Sequence, residues 1–252
     1  MRAVRRTLLL VLLVLAFAAA FLVGNAQAAS VCSQVLGGAS VSAPGYAAAW
    51  RAGIEGRTKV FARLPSKRLS RSRWLTSTDA RSLLILARPR AADGRCWVLV
   101  RLPWRPNNAA GWLNANDVFI EKNRWWIEVS TARRTLTLYR DRVRVRTVSV
   151  VVGKPSTPTP VGLFAVTWAI PWHPNDFLGS WVLELTAHSD VLQQFEGGDG
   201  TVGIHGRGGA SLLDPLGSAA SHGCIRLSNG SIDSLVGAIG ADQLPGTPVQ
   251  VS

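Results

Sequence analysis

Charge is scarce in this 252-residue chain, at 17% Asp, Glu, Lys and Arg against 47% apolar residues, a balance that excludes a disordered protein and describes a globular one. Acids are scarcer than bases, fifteen against twenty-eight, and the first 28 residues hold no acid at all. There Arg2, Arg5 and Arg6 precede an uncharged run from Leu8 to Val23, followed by Ala26-Gln27-Ala28. A positive start, an apolar stretch and small residues at a cleavage position predict a secretory signal over 1–28 and an exported protein. Left uncleaved, the same stretch would be a membrane anchor, although its apolar run falls short of the ~20 residues a spanning helix needs. Val31, not a small residue, precedes Cys32, which argues against a lipoprotein-type modification there.

The charge that is present is unevenly placed. Residues 29–120 hold fourteen basic and four acidic residues, a balance of +10, whereas residues 121–252 hold eleven of each. All four histidines lie in the neutral half. Residues 29–50 are small and weakly patterned and read as a linker. From 51 to 120, short runs such as "TKVFARL", "SLLILAR", "CWVLVRLP" and "GWLNANDVFI" alternate with polar turns, the pattern of a small all-β barrel. Their order and the turn–Gly-Trp–strand ending resemble the SH3-like modules of bacterial wall proteins. A basic exported module implies either a solubilising surface or attraction to an anionic polymer. Outside the membrane that polymer is the cell wall, not nucleic acid.

Residues 121–252 form a second, mostly β domain. "WWIEVS", "RTLTLYR" and "RVRVRTVSVVVG" read as three strands joined by tight turns, with Val143 and Val145 expected to face inward between exposed arginines. "TPTPVGLF" is a Pro/Gly-rich corner, and "FEGGDGTVGIHG" leads into a strand ending at His205. In "SNGSIDSLVGAI", Ile232, Leu235, Val236 and Ile239 recur at helical spacing behind a cap at Ser228 or Asn229. One helix behind the strand that carries Cys224 is therefore expected.

The stretch "SHGCIRL" (221–227) gathers reactive groups. Alternation places His222, Cys224 and Arg226 on one face and Ile225 and Leu227 on the other. A thiol attacks carbon only as a thiolate, so Cys224 needs a base, and both His205 and His222 qualify. The N–H groups of Gly223 and Cys224 are candidates to stabilise an oxyanion. Arg226 offers a planar fork for a substrate carboxylate.

"IHG" at 204–206 followed by "SHGCIRL" closely resembles the L,D-transpeptidase family, also called YkuD-type, and "IEVS", "TPVGLF" and the terminal "GTPV" extend the resemblance over residues 125–252. The resemblance implies a β-sandwich-like catalytic domain with Cys224 as nucleophile. It makes His205 the base, oriented by the backbone carbonyl of Gly206, and assigns the oxyanion site to His222 and Gly223. Ser221 and Arg226 are then the expected substrate contacts, with arginine where many members carry asparagine. The implied reaction acts on peptidoglycan tetrapeptide stems: Cys224 releases D-Ala, and an amine of a neighbouring stem resolves the thioester into a cross-link between third-position residues. Water as acceptor would instead give an L,D-carboxypeptidase. Carbapenem-type inhibitors are implied to acylate the same thiol, and no cofactor is implied. Two loops, 168–181 and 206–220, are placed to act as lids.

Other readings fit less of the pattern. A zinc site of His205, His222 and Cys224 lacks an acidic general base at a recognisable spacing. A non-catalytic wall-binding protein would have no need of every motif residue. Three cysteines in an exported chain leave one over, and Cys224 is the odd one beside Cys32 and Cys96. His173 and His188 receive no catalytic role. The neutral half alone is expected to keep its chemistry on small soluble stem peptides.

Overall fold

The computed structural model describes residues 31–65, 71–194 and 198–252; the expected signal lies outside them. The N-terminal unit contains β1 (Ala49–Gly53), β2 (Arg57–Phe61), β3 (Ser72–Thr76), β4 (Ser82–Leu84), β5 (Arg90–Ala92), β6 (Arg95–Arg101), β7 (Ala110–Asn114) and β8 (Phe119–Asn123). These make a three-stranded sheet, β4-β1-β8, and a five-stranded sheet, β3-β2-β7-β6-β5, linked by a bridge between Ile85 and Val100. Alternation explains the core: Val98 and Val100 on β6 and Leu113 on β7 are fully buried. The run "GWLNANDVFI" is two strands, because the Asn114 side chain accepts from the Asn116 N–H and turns the chain into a short 3-10 segment between β7 and β8.

The stretch expected as a linker is part of this unit. Residues 31–35 are helical, and Val31, Val35 and Leu36 pack on the N-terminal core. Cys32 is disulfide-bonded to the fully buried Cys96 on β6. Small residues carry little pattern, and here a covalent bond 64 residues distant supplies what pattern does not.

The second domain contains β9 (Trp125–Ser130), β10 (Thr135–Arg140), β11 (Val143–Ser149), β12 (Val152–Gly153), β13 (Gly162–Pro171), β14 (Trp181–His188), β15 (Thr201–His205), β16 (Ala219–Ser221), β17 (Ile225–Arg226) and β18 (Pro248–Val251). Eight of them form one sheet in the order β11-β10-β9-β18-β13-β14-β15-β17. The ten-residue β13 pairs with β18 through Gly162–Ala165 and with β14 from Val166 onward, with a register irregularity between Val166 and Trp168 in the β14 pairing. It thus carries the chain from one half of the sheet to the other. Ile127 and Leu136 from one half share a single core with Leu183, Ile204 and Ile225 from the other, so the halves face each other as in a sandwich.

Helix α1 (Asn229–Ile239) closes that core with Ile232, Leu235, Val236 and Ile239, and its N-cap is Ser228, whose hydroxyl accepts from the Ser231 N–H. The β10–β11 hairpin turns through Asp141 and Arg142, both at positive φ, as a two-residue primed turn requires. The expected inward face of β11 is not found: Val143 is 67% and Val145 50% exposed. β11 is an edge strand, and its outer half extends past the core, so alternation there separates two solvated faces.

The two units touch through specific polar contacts. Arg51 on β1 is 5% exposed; it pairs with Glu121 and donates to the Gln243 carbonyl at 2.9 Å and to Gln243 Oε1 at 2.7 Å. Tyr46 donates to Glu128 and stacks on Trp126 at 4.8 Å between centroids. Burial and, after it, the contact with Glu128 push the Tyr46 phenol up to about 12.

Candidate active site

β15 and β17 run parallel, with Ile204 opposite Ile225 and His205 opposite Arg226. Ile204 and Ile225 enter the core, so the other faces of these strands carry His205, Cys224 and Arg226 together. These three and His222 line one cavity with Phe177, Leu178, Ser189, Leu192, Gly200 and Thr201. Its volume is about 60 Å³, room for a reacting acyl group and well short of the several hundred Å³ that enclose a drug-sized ligand.

Cys224 is half-buried and stands outside the Cys32–Cys96 disulfide. β17 is only two residues long, so at Cys224 the ladder gives way and the Gly203 N–H of β15 points at Sγ, 3.5 Å away. A backbone donor aimed at sulfur favours the thiolate over the thiol. Nothing in the sequence marks it, because a backbone N–H belongs to every residue.

His205 is 2% exposed. Its Nδ1 lies 2.8 Å from the Gly206 carbonyl, which only accepts, so Nδ1 carries the proton and Nε2 keeps the lone pair. Burial pushes the imidazole down to about 4, the Arg226 guanidinium pushes the same way, and the Gly206 carbonyl pulls back. The ring is therefore neutral, and a base, at ordinary pH.

The turn before Cys224 corrects two expectations. Ser221 is fully buried: its hydroxyl donates to the Cys224 carbonyl at 2.7 Å and accepts the Gly223 N–H at 3.1 Å. It braces the turn instead of facing substrate, and the Gly223 N–H expected at an oxyanion is engaged inside the turn. Gly223 sits at φ +124°, a conformation that excludes most side chains. The corner at 157–159 supports the same turn, with Thr157 Oγ1 donating to the Ser221 carbonyl. Gly153 must be glycine, since a Cβ there would come within 2.4 Å of the Thr157 carbonyl oxygen. His222 stays exposed at the mouth, its Nε2 3.4 Å from Lys154 Nζ.

Arg226 is also more enclosed than expected. It is 4% exposed, pairs through Nη1 with Asp214 at 2.6 Å, and lies under the Phe177 ring at 4.7 Å. A fork already holding Asp214 and covered by an aromatic ring is not open to a substrate carboxylate as placed here. Phe177 and Asp214 come one from each expected lid. Sequence reading missed Asn229, which ties these loops together: Oδ1 accepts the N–H of Ser180 and Arg207, and Nδ2 donates to the Pro174 carbonyl. Gly179 and Gly206 have no room for a Cβ because Asn229 Oδ1 would lie 2.2 and 2.3 Å from it.

Among the described residues no group of three or more His, Cys, Asp or Glu side chains is placed to share a metal ion. His173 lies in an exposed loop against Trp172. His188 is 1% exposed with Nε2 3.1 Å from Asp199, and burial pushes its pKa down.

A thiol and a neutral imidazole on adjacent strands, around one small cavity at the open face of a mainly β sheet, define a cysteine–histidine site. A model of the L,D-transpeptidase catalytic domain, YkuD, matches residues 124–251, and the chain belongs to that family. A Bacillus licheniformis protein named as an L,D-transpeptidase of the YkuD type is 35% identical over 114 residues, 45% of this chain and 59% of that protein. The chain thus matches somewhat over half the length of this relative. Among solved structures, an Enterococcus faecium L,D-transpeptidase is 23% identical, covering 52% of this chain and 50% of that one with TM-score 0.38. One from Mycobacterium tuberculosis is 20% identical, covering 59% and 74% with TM-score 0.40.

Proposed function

We propose that the chain is an exported enzyme that cross-links peptidoglycan through a Cys224 thioester. The observation that carries this reading is the His205 geometry: Nδ1–H is held by the Gly206 carbonyl, and Nε2 stays basic in the cavity that Cys224 shares. His205 takes the thiol proton while the Gly203 N–H steadies the developing thiolate. Sγ attacks the carbonyl joining the third stem residue to the terminal D-Ala. His222 and the Lys154 ammonium beside it face the oxygen as it gains charge. The tetrahedral species collapses by breaking the C–N bond; His205 returns its proton to the leaving amine, and D-Ala departs from a thioester. An amine from a second stem then attacks, giving up a proton to His205 as Cys224 is released. Phe177 and Leu178 over the cavity limit water at the thioester.

The N-terminal unit, SH3-like by its sequence, fits an electrostatic wall contact. Arg57, Lys59, Arg73, Arg88 and Arg90 are exposed, and none of the five has an acidic side chain within ion-pairing distance among the described residues. Arg57 and Lys59 flank the exposed Trp74, and Arg73 lies on Trp104 at 3.9 Å, so these cations are held in place over aromatic faces.

The test is to incubate the full chain with a disaccharide-tetrapeptide and identify products by mass spectrometry. Cross-linked dimer with loss of one D-Ala supports transpeptidation. Tripeptide alone would make the protein a carboxypeptidase, and unchanged substrate would leave a wall-binding role.

A further inference from the structure

The β6–β7 turn of the N-terminal unit reaches across to the β14–β15 connection and holds it by its backbone. Arg105 donates from Nη1 to the Ser189 carbonyl at 3.0 Å, and from Nη2 to the Leu192 carbonyl at 3.0 Å and the Asp199 carbonyl at 2.8 Å. One guanidinium thus gathers three carbonyls from both ends of the connection. Two residues on, the Asn107 amide forms a reciprocal pair with His188: Oδ1 accepts the His188 N–H at 2.8 Å and Nδ2 donates to the His188 carbonyl at 2.7 Å. Nδ2 also reaches Asp190 Oδ1 at 2.9 Å. The fit is close enough that a Cβ on Gly200 would lie 2.9 Å from Arg105 Nη2 and 2.1 Å from the Leu192 carbonyl oxygen.

The two ends so held, 188–192 and 199–201, form part of the wall of the cysteine cavity. Ser189, Leu192, Gly200 and Thr201 line it together with Phe177 and Leu178. Three of the carbonyls and the amide pair belong to residues in that wall or next to it. Released from Arg105, the carbonyls of Ser189, Leu192 and Asp199 would have to find water, and the wall would lose its fixed distance from Sγ.

We propose that Arg105 and Asn107 are positioning residues for the cysteine site, so that the N-terminal unit completes the substrate wall of the catalytic domain as well as carrying charge. This rests on the reading of Cys224 as the nucleophile. It departs from the expectation that the neutral half alone keeps its chemistry on small soluble stem peptides.

The experiment uses the full chain with Arg105→Ala, Arg105→Lys and Asn107→Ala. Three rates are compared with thermal melting: Cys224 alkylation by iodoacetamide, acylation by a carbapenem, and D-Ala release from tetrapeptide. Iodoacetamide is small and reads the thiolate alone; the two acylations also need the wall. Arg105→Ala should slow acylation about tenfold or more, the scale on which misplacement of reacting groups acts, with alkylation changed by less than about twofold. Its KM for tetrapeptide should rise. Arg105→Lys should fall between, because one ammonium cannot span three carbonyls, and Asn107→Ala should follow the same pattern more weakly. Amide hydrogen exchange should quicken in 188–194 and 199–201 and nowhere else.

Acylation at the wild-type rate in Arg105→Ala would overturn the proposal. So would a parallel fall of alkylation and acylation with a lowered melting temperature, which would mark ordinary destabilisation. If the wild-type chain itself is not acylated, the proposed reaction fails; hydrogen exchange then decides the clamp alone, unchanged exchange counting against it.

Discussion

The Thr159 hydroxyl links the two glycines around the cysteine turn: it accepts the Gly153 N–H at 2.9 Å and donates to the Gly223 carbonyl at 2.8 Å. Thr159 is 5% exposed and Gly223 is buried, so the Gly223 carbonyl has no water to fall back on when the hydroxyl is removed, whereas the half-buried Gly153 N–H is partly shielded. Thr159→Val keeps the shape and deletes both bonds. It should destabilise the chain by about 1–3 kcal/mol, the cost of leaving buried polar groups unpaired, as read from denaturant unfolding. Alkylation of Cys224 should slow as well, because Gly223 directly precedes it. Unchanged stability and reactivity would show that the corner does not hold the turn.

The neutral state of His205 sets the acid limit of the reaction. Its imidazole, pushed by burial to about 4, keeps its lone pair well below the usual histidine range. The acid limb of kcat/KM for acylation should therefore lie near pH 4 and not near 6.5. Stability moves the same way. Between about pH 6.5 and 4 the unfolded chain binds a proton at this position that the folded chain does not, so stability falls as pH falls through that window. His205→Ala should remove this limb and cost about two orders of magnitude in rate.

Asp214 and Arg226 should respond unequally to mutation. Asp214 is one-third exposed and can return to water, whereas Arg226 is buried under Phe177. Asp214→Ala strands the guanidinium and should destabilise by about 1–3 kcal/mol; Arg226→Met replaces it with an apolar chain of similar length and should cost less. Paired urea melts decide the order, and equal losses would contradict it.

The Cys32–Cys96 bond should be structural and separate from the chemistry. It closes a loop with a sequence separation of 64, for which chain entropy assigns about 4 kcal/mol. Cys32→Ser with Cys96→Ser should lower the melting temperature while Cys224 still alkylates. Thiol titration of the native chain should find one reactive group.

Much of this architecture is written in periodicity. Ile232, Leu235, Val236 and Ile239 mark α1 because helical spacing and burial coincide there. "WWIEVS" is β9 to the residue, since Ile127 and Val129 alternate into the core. Alternation failed at Val143 and Val145: it says which residues share a face, not whether anything covers that face. The site divides along the same line. Cys224, His205 and Gly206 stand out by type and motif. The enclosure of Arg226 depends on Asp214 and Phe177 in loops whose paths have no pattern. Gly203 and Asn229 act through contacts made only after folding. Arg105 looks like one more base in a basic half until its three carbonyls are seen.

The central claim is that Cys224, served by His205, is the acylated residue. The most direct measurement is the intact mass of the full chain after carbapenem treatment, with peptide mapping of the adduct. The account predicts one adduct, on Cys224, absent in Cys224→Ser and formed at least about a hundredfold more slowly in His205→Ala. An adduct elsewhere, or one formed at full rate in His205→Ala, would contradict it.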